Sequence, residues 1–397
     1  MDLRISRTVR LPDPVRLARL KRSPDLGPRI LFFSGGTALR DACAEIIDYS
    51  HNTIHVITPF DSGGSSARLR DAFRMPAIGD VRNRLLALAD RSLHGNPQIF
   101  KLFAHRLPEA GDADELRETL DRMIRGRHPL VARIPDPMRK IIRHHLSRFR
   151  HHKPDDFDLG KASIGNLILT GGYLDNGRHL DPVIFIFSKL VQVRGIVRPM
   201  LNRDLHLVAE LADGRTLVGQ HRLTGKETAP LDAPIKRLYL SRTRRNPAPI
   251  RPPIRNKMKA LIAGADLICY PIGSFYSSVL ANLLPAGVGD AVAANPSPKV
   301  FIPNTAFDPE LVGHTVDDQI DRLLDALTAD APETIRPRDV LQFVLLDDDP
   351  GHYGGRPDET RLKEMGITAL HLPLVSDRTA PRIDETRLVP ALMSLSG

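Results

Sequence analysis

Aromatic residues are scarce in this chain: they make up 5% of its 397 residues, and tryptophan is absent. Proteins that bind single-stranded nucleic acid stack the bases on aromatic side chains set among basic ones, and no such pattern occurs here. The net charge of +9 therefore does not indicate a nucleic-acid-binding protein. We interpret the basic stretches as solvated faces, or as surfaces that attract an anionic substrate.

Cysteines and long apolar runs are also few. Cys43 and Cys269 both fall in apolar segments, which predicts small buried core residues in a reducing cytoplasm, with neither a disulfide nor a zinc site. The stretch 182–201 is interrupted by four polar or charged residues, so it falls short of the roughly 18 uninterrupted apolar residues of a membrane span. The N-terminus has no secretory apolar region. We expect a cytoplasmic protein that does not enter the membrane.

The nucleotide-binding fingerprints G-x-G-x-x-G and G-x-x-x-x-G-K-[ST] are missing as well. The chain has instead two glycine-rich loops, each predicted to follow a strand and to lead into a helix. Glycine N–H groups, hydroxyls and a helix start together suit a phosphate. The alternative is that the glycines only turn the chain. The loops are Ser34, Gly35, Gly36 and Thr37, and then Asp61, Ser62, Gly63, Gly64, Ser65 and Ser66.

Charged residues follow the second loop. Arg68 and Arg70 lie just after its serines, and guanidinium groups at a helix start favour phosphate or carboxylate ligands. A third segment contains Asp80, Arg82 and Asn83. Asp80 would ordinarily cap a helix by accepting a hydrogen bond from the N–H of Asn83. The alternative is that this segment faces the same pocket as the second loop.

These motifs, in this order, resemble the CofD-like superfamily. The resemblance continues in Ser163–Leu167, in Ala265–Ile268 and in Gly273–Ser278, and runs from about residue 29 to about residue 304 with one insertion. One branch of the superfamily is 2-phospho-L-lactate transferase, and the other is the YvcK-like proteins, which bind nucleotide sugars. The resemblance implies an α/β fold: a Rossmann-like, mostly parallel sheet with a helical insertion and an edge hairpin.

The resemblance to the transferase implies transfer of a phosphorylated, 2-phospholactyl-like group from a nucleotide-diphosphate donor to an acceptor hydroxyl. Asp61 and Asp80 are then the catalytic residues and the candidate Mg²⁺ ligands, and Arg68 and Arg82 offset developing charge. Asn166 contacts the base or the ribose. The implied phosphate- and nucleotide-binding residues are Ser34, Gly35, Gly36, Thr37, Gly63, Gly64, Ser65, Ser66, Arg68, Arg82, Asn83, Ser163, Asn166, Gly273 and Ser274.

The first of two departures from the family pattern favours the alternative function, a non-catalytic YvcK-like regulator that binds nucleotide sugars, and the second bears on the identity of the ligand. Ser62 stands where relatives usually carry a second aspartate, so one carboxylate is lost. Pro271 and Ile272 replace the first two residues of the family's Gly-Pro-Gly-Ser, which removes a backbone donor. Asp347, after a late strand, is a hypothetical replacement for the missing carboxylate.

The remaining expectations concern organisation and partners. The alternation around Asp213 and Gly214 predicts a hairpin. The insertion and the N-terminal arm suggest a protein partner, such as an ATP-grasp enzyme, and a homo-oligomer is a further candidate state. The predicted segments are an N-terminal arm (1–28), the CofD-like domain (29–92 and 161–304), a helical insertion and candidate lid (93–160), and a C-terminal α/β extension packed on the same sheet (305–397).

Overall fold

The computed structural model describes residues 8–90, 92, 95–109, 111–225 and 228–396. Within these residues ten strands form two sheets, one of seven strands and one of three. The strands are β1 (Ile30–Ser34), β2 (Ile54–Ile57), β3 (Ile196–Pro199), β4 (His206–Leu211), β5 (Thr216–Val218), β6 (Ile235–Ser241), β7 (Leu267–Tyr270), β8 (Lys299–Phe301), β9 (Phe343–Asp347) and β10 (Thr368–Leu372).

The helices surround the larger sheet. A π-helical stretch, Phe275–Leu280, runs directly into α12. The α-helices of the described residues are α1 (Pro14–Arg22), α2 (Arg40–Ile46), α3 (Gly64–Phe73), α4 (Gly79–Ala87), α5 (Pro97–Ala104), α6 (Ala113–Ile124), α7 (Pro129–Ala132), α8 (Met138–His152), α9 (Ile164–Asp175), α10 (Leu180–Leu190), α11 (Asn256–Ala263), α12 (Ala281–Leu283), α13 (Val288–Ala294), α14 (Val316–Thr328), α15 (Pro337–Val340), α16 (Glu359–Glu364) and α17 (Glu385–Leu395).

The seven-stranded sheet is parallel throughout, in the order β10-β9-β8-β7-β1-β2-β3. From β1 the chain builds outward through β2 to β3, and later returns to the other side of β1 with β7. The strand order therefore reverses at β1. In open α/β sheets this reversal leaves a crevice at the carboxyl ends of the strands, where ligands bind.

Both faces of this sheet are covered, as a parallel sheet requires. Successive residues of β1 point to opposite faces. Ile30 and Phe32 belong to one buried cluster, which includes apolar residues of the predicted insertion, and Leu31 and Phe33 belong to a second cluster. The α/β fold class that the sequence predicts is confirmed.

The predicted hairpin around Asp213 and Gly214 is also confirmed, as β4 paired antiparallel with β5. It does not extend the main sheet, however. The other edge of β4 pairs with β6 in a separate sheet of order β5-β4-β6. In the described residues none of these three strands pairs with a strand of the large sheet. The expected edge hairpin is corrected to a separate small sheet.

The predicted arm and insertion are ordered parts of the fold where the structure describes them. Residues 1–7 of the arm and 93, 94 and 110 of the insertion lie outside the described residues. In the arm, α1 packs on α17, where Arg16 Nε donates to the carbonyl oxygen of Met393 at 2.8 Å. In the insertion, α8 packs along α9. None of the helices in the described part of the chain is long and apolar enough to cross a membrane.

Candidate functional site

An open cleft of about 510 Å³ lies at the carboxyl ends of β1, β2 and β7. These strands are neighbours, since β1 pairs with both of the others. Each strand is followed by one wall of the cleft: Gly35–Thr37 after β1, Asp61 and Gly63–Ser66 after β2, and Gly273 and Ser274 after β7. The cleft thus occupies the point where the strand order reverses, which is the usual ligand position in this class of sheet.

The helix α3 begins in the cleft, as the sequence predicts. Gly63 is its N-cap and supplies no side chain to cap it, and Gly64, Ser65 and Ser66 form its first turn. All four residues line the cleft. An uncapped start of a ten-residue helix leaves N–H donors with partial positive charge available to a ligand. Asp61 shapes this start by accepting a hydrogen bond from the N–H of Gly63 at 3.0 Å.

The first loop differs from its prediction at its helix. The helix α2 starts at Arg40, and the N–H of Arg40 donates to the carbonyl of Thr37 in a preceding turn, so Thr37 does not open the helix. The glycines of this loop instead allow its backbone to lie close to the first turn of α4. A Cβ on Gly36 would lie 2.4 Å from Oδ1 and 2.7 Å from Cα of Asp80. Only glycine leaves room for the first turn of α4 at this position.

Asp80 is not the N-cap of α4, because Ile78 holds that position and Asp80 falls within the first turn. The capping role is therefore wrong. Asp80, Arg82 and Asn83 all line the cleft together with Asp61. This agrees with the alternative interpretation, in which the third segment faces the same pocket as the second loop. The carboxylate of Asp61 lies near Gly79, where a Cβ would meet Oδ2 at 3.3 Å.

Two guanidinium groups form a cationic side of the cleft. Arg82 is buried, donates to the hydroxyl of Ser163 and to Oδ1 of Asn83, and leaves its Nε without a hydrogen-bond partner. Arg106, from the predicted insertion, lies close enough to act on it electrostatically. Burial and the positive charge of Arg106 lower the pKa of Arg82 to about 10, against the opposing effect of Asp80. Two like charges brought together in this way favour an anionic ligand between them.

A third arginine lies beneath the first loop. Arg84 is fully buried, and its guanidinium donates to the carbonyl oxygen of Gly35 at 2.7 Å and contacts Sγ of Cys43 at 2.6 Å. Within the described residues no carboxylate lies in ion-pair distance of Arg84. Its charge fixes the glycine loop from behind and adds positive potential there, which the sequence pattern did not reveal.

The wall that follows β7 is held from outside the cleft. Asn304 clasps Gly273, accepting from its N–H at 2.9 Å and donating to its carbonyl at 2.7 Å. The N–H of Phe275 donates to Asp308 at 2.9 Å, and the N–H of Ser277 donates to Glu310 at 2.8 Å. These donors at the start of the π-helical stretch are therefore satisfied within the protein.

Most of the residues that the sequence analysis singled out for ligand binding line the cleft. Four of them do not, namely Arg68, Arg70, Ser34 and Ser163. Arg68 points to the end of the insertion, where it pairs with Asp158 and donates to the carbonyl of Gly160. Arg70 is fully buried and holds Asp204 and the carbonyl of Phe60. The residues that line the cleft are Gly35, Gly36, Thr37, Asp61, Gly63, Gly64, Ser65, Ser66, Asp80, Arg82, Asn83, Asn166, Gly273 and Ser274.

Ser34 and Ser163 have structural roles behind the lining. The Ser34 hydroxyl lies 3.4 Å from Arg84, and its carbonyl accepts from Asn282. Ser163 caps α9, with its hydroxyl 3.4 Å from the N–H of Asn166. Further lining residues lie outside the predicted set: some come from segments without a glycine motif, and the others adjoin the predicted residues in sequence or belong to the segment Gly273–Ser278. They are Ala38, Gly79, Arg106, Gln220, His221, Thr224 and Ser278.

Ser62, at the position of the lost carboxylate, contacts one of these residues. Its hydroxyl oxygen lies 2.8 Å from Nδ1 of His221, which lines the cleft and belongs to the connection between β5 and β6 of the small antiparallel sheet. Gly219 lies over this pair with a φ of 107°, and a Cβ there would lie 2.9 Å from Oγ of Ser62. The hairpin therefore completes the cleft by presenting a histidine beside the second glycine loop.

Asp347 does not replace the missing carboxylate. It lies three strands away from β1 in the sheet, and its carboxylate accepts hydrogen bonds from the N–H groups of Val375 at 2.7 Å and Asp349 at 3.0 Å. Asp61 and Asp80 stay the candidate Mg²⁺ ligands. No group of three His, Cys, Asp or Glu side chains suited to a metal occurs in the described residues. Because Mg²⁺ is often held by one or two carboxylates and substrate phosphates, this pair fits Mg²⁺ only together with a phosphate ligand.

A parallel α/β sheet with glycine loops converging at its switch point, completed by a small antiparallel sheet, defines a Rossmann-like α/β protein with its candidate ligand site at the carboxyl ends of the strands. The sequence model of the family described as 2-phospho-L-lactate transferase CofD matches residues 30–375, and the chain belongs to this family. Its relatives include the gluconeogenesis factor of Bacillus subtilis, which is 30% identical over 374 residues, covering 92% of this chain and 97% of the relative.

A putative gluconeogenesis factor from Nostoc is 32% identical over 303 residues, or 76% of this chain, and the match spans about half of that relative's length, 52%. Among solved structures, a protein of the UPF0052 family from Bacillus halodurans superimposes with a TM-score of 0.64 at 25% identity, covering 92% of this chain and 99% of the other. The chain is thus a CofD-like protein whose relatives are YvcK-like gluconeogenesis factors.

Proposed function

We propose that this protein binds a nucleotide diphosphate, of the nucleotide-sugar type, and acts as a regulator like the gluconeogenesis factors it resembles. The observation that carries the proposal is the meeting, in one cleft, of the uncapped start of α3 with the guanidinium groups of Arg82 and Arg106. Both features attract a multiply charged anion, and they come from separate parts of the chain.

The size and chemistry of the cleft support a diphosphate ligand. Its volume of about 510 Å³ lies within the range of about 300 to 1,000 Å³ that is usual for small-molecule sites. Gly63, Gly64 and the serines of α3 offer backbone and hydroxyl donors to one phosphate. Arg82 and Arg106, with Arg84 behind the first loop, neutralise the rest of the charge.

A binding role is favoured over catalysis by the environment of Ser62. Where the family resemblance leads us to expect a second aspartate, this chain places a hydroxyl that is engaged with His221. Binding a diphosphate needs the glycine loops and cations, which are present, whereas a metal-assisted transfer is better served by two adjacent carboxylates. Nearly full-length similarity to the Bacillus subtilis gluconeogenesis factor also supports the regulatory role.

The second candidate is a transferase, which the family model favours. In that reaction the oxygen of an acceptor hydroxyl attacks the distal phosphorus of a nucleotide-diphosphate donor. The bond from that phosphorus to the bridging oxygen breaks, and the nucleoside monophosphate leaves. Asp61 would orient the acceptor or, with Asp80, hold Mg²⁺, which would offset charge on the donor. The loops and Arg82 would stabilise the charge that develops on the phosphate oxygens.

Calorimetric titration with GDP, GTP, UDP and UDP-sugars, each with and without Mg²⁺, tests the proposal. Binding of a UDP-sugar without Mg²⁺ is the expected result for the regulator. Tight guanine-nucleotide binding that requires Mg²⁺ would favour the transferase. If no member of the panel binds, both functions are contradicted.

The variant Asp61→Asn then separates binding from chemistry, because it removes the carboxylate charge but keeps the size of the side chain. For a transferase we expect this variant to retain nucleotide affinity and to lose release of the nucleoside monophosphate. For a regulator we expect no turnover in the parent protein with any acceptor. Turnover by the parent that disappears in Asp61→Asn would therefore overturn the regulatory proposal.

A further inference from the structure

The cleft is well equipped for phosphates and poorly equipped for a nucleobase. Its lining in the described residues consists of glycines, small polar residues, carboxylates and guanidinium groups, and its one ring, that of His221, is hydrogen bonded to Ser62. Nucleobases are usually held by stacking on an aromatic or other flat face. A nucleotide with its phosphates in the cleft must therefore place its base at the rim.

An exposed aromatic ring is carried by the segment that holds one wall of the cleft. Phe307 is 79% exposed, although Thr305 and Asp308 on either side of it are buried. The segment that carries it follows β8 and is fixed at two points to the wall formed by Gly273 and Ser274. Asn304 clasps Gly273, and Asp308 accepts from the N–H of Phe275, the residue after Ser274.

These anchors hold the backbone of Phe307 next to the cleft wall while leaving its ring in water. An exposed phenylalanine costs solvation free energy unless a ligand covers it. The ring is also isolated: its chain neighbours are buried or half-buried, and no exposed apolar residue adjoins it in sequence. A single pre-positioned ring offers the area of one base, which is far smaller than an interface with a protein partner.

We propose that Phe307 is the nucleobase-stacking residue of this protein, receiving the base of a nucleotide whose phosphates occupy the cleft. The inference rests on the proposed function, since it requires a nucleotide ligand. It adds that recognition is divided between two parts of the chain: the loops after β1 and β2 hold phosphate, and the segment after β8 holds the base. Stacking tolerates different bases, so the ring supplies affinity for both pyrimidine and purine nucleotides.

The absence of tryptophan gives this proposal a direct reporter, because Phe307→Trp creates a single-tryptophan protein in which a ring suitable for stacking is kept. We expect UDP and GDP to quench its fluorescence and inorganic pyrophosphate to leave the fluorescence unchanged. Phe185→Trp is the matched control. Phe185 is also exposed, but it lies on α10 beside Lys189 and outside the lining of the cleft. Its tryptophan should not respond to the nucleotides.

Affinity provides the second measurement. Phe307→Ala should weaken UDP and GDP binding by roughly 5- to 100-fold, the range that removal of one stacking ring produces, and should leave pyrophosphate binding unchanged. Nucleotide affinity equal to that of the parent protein would overturn the inference and leave the proposed function standing. Equal losses for pyrophosphate and nucleotide would also overturn it, since they would show a disturbed cleft wall. A parent protein that binds neither probe would contradict the proposed function and the inference with it.

Discussion

The hydroxyl oxygen of Ser62 lies 2.8 Å from Nδ1 of His221, and this contact joins the second glycine loop of the parallel sheet to the connection between β5 and β6 of the small antiparallel sheet. It occupies the position where the family resemblance predicts a second aspartate beside Asp61. A carboxylate there would add a second negative charge beside Asp61, next to the wall of the cleft. Ser62 has a neutral hydroxyl, so this position adds no negative charge to that of Asp61.

The substitution Ser62→Asp should make nucleotide binding depend on Mg²⁺. A second carboxylate beside Asp61 repels the phosphates, so without Mg²⁺ we expect about a tenfold loss of affinity for UDP-sugars, and added Mg²⁺ should restore it. Calorimetric titration with and without Mg²⁺ measures both effects. Ser62→Asn is the matched control, because it has the same size without the charge. Equal affinities for the two variants, with or without Mg²⁺, would contradict the electrostatic account.

Gly36→Ala should disrupt the cleft. The added Cβ would lie 2.7 Å from Cα of Asp80, so the backbone of α4 must move, and we expect about 1 to 3 kcal/mol of lost stability and a loss of nucleotide binding of at least about tenfold. Thermal unfolding and calorimetry measure the two. In the control Gly111→Ala the nearest atom is a leucine side-chain carbon at 3.3 Å, and both properties should stay near those of the parent protein. Unchanged binding in Gly36→Ala would show that the first loop does not form the ligand site.

Arg106→Ala and Arg68→Ala form a matched pair, because both side chains hold residues 158–161 and only Arg106 lines the cleft. Arg106 donates to the carbonyl of Lys161 at 3.2 Å, while Arg68 pairs with Asp158. We expect Arg106→Ala to lower affinity for UDP-sugars by about 10- to 100-fold, as loss of a charge-assisted hydrogen bond does, and to reduce the salt dependence of binding. Arg68→Ala should leave affinity unchanged. A loss of affinity in Arg68→Ala with unchanged affinity in Arg106→Ala would contradict this assignment and show that Arg68 contributes to the ligand site.

The free energy of unfolding should depend on pH through the buried side chain of Glu310. Burial and the neighbouring charge of Asp308 raise the pKa of Glu310 above its ordinary value of 4.5. The folded state therefore holds this proton more tightly than the unfolded state. Its contribution is fully present below the ordinary pKa and is lost as the pH rises through the folded-state value.

Glu310→Gln removes this titration. Between about pH 5 and about pH 8, its free energy of unfolding in urea should fall less than that of the parent protein. Glu333→Gln, at an exposed position, serves as the control and should follow the parent curve. Parallel curves for Glu310→Gln and the parent would show that Glu310 is ionised in the folded state at both pH values.

Sequence patterns predicted the fold and most of the cleft because local chemistry determines both. Each glycine loop directly follows a strand, and parallel strands bring their carboxyl ends to one edge, so Gly35, Gly63 and Gly273 had to converge once β1, β2 and β7 were neighbours. The α/β class follows from the same alternation of strands and helices.

The missed parts depend on side-chain direction and on distant segments. Arg68 and Arg82 are both near a helix start, and no local pattern shows that one turns to Asp158 and the other to the cleft. His221 reaches Ser62 across 159 residues. The hairpin was predicted correctly, but its place in a separate sheet depended on the pairing of β4 with β6, a contact between strands more than twenty residues apart.

A crystal structure of the protein grown with a UDP-sugar tests the central claim most directly. We predict density for the diphosphate between the start of α3 and the guanidinium groups of Arg82 and Arg106, with the base at the rim beside Phe307. Clear density for the ligand outside the cleft, or a cleft that stays empty at a saturating concentration of a ligand that calorimetry shows to bind, would contradict the account.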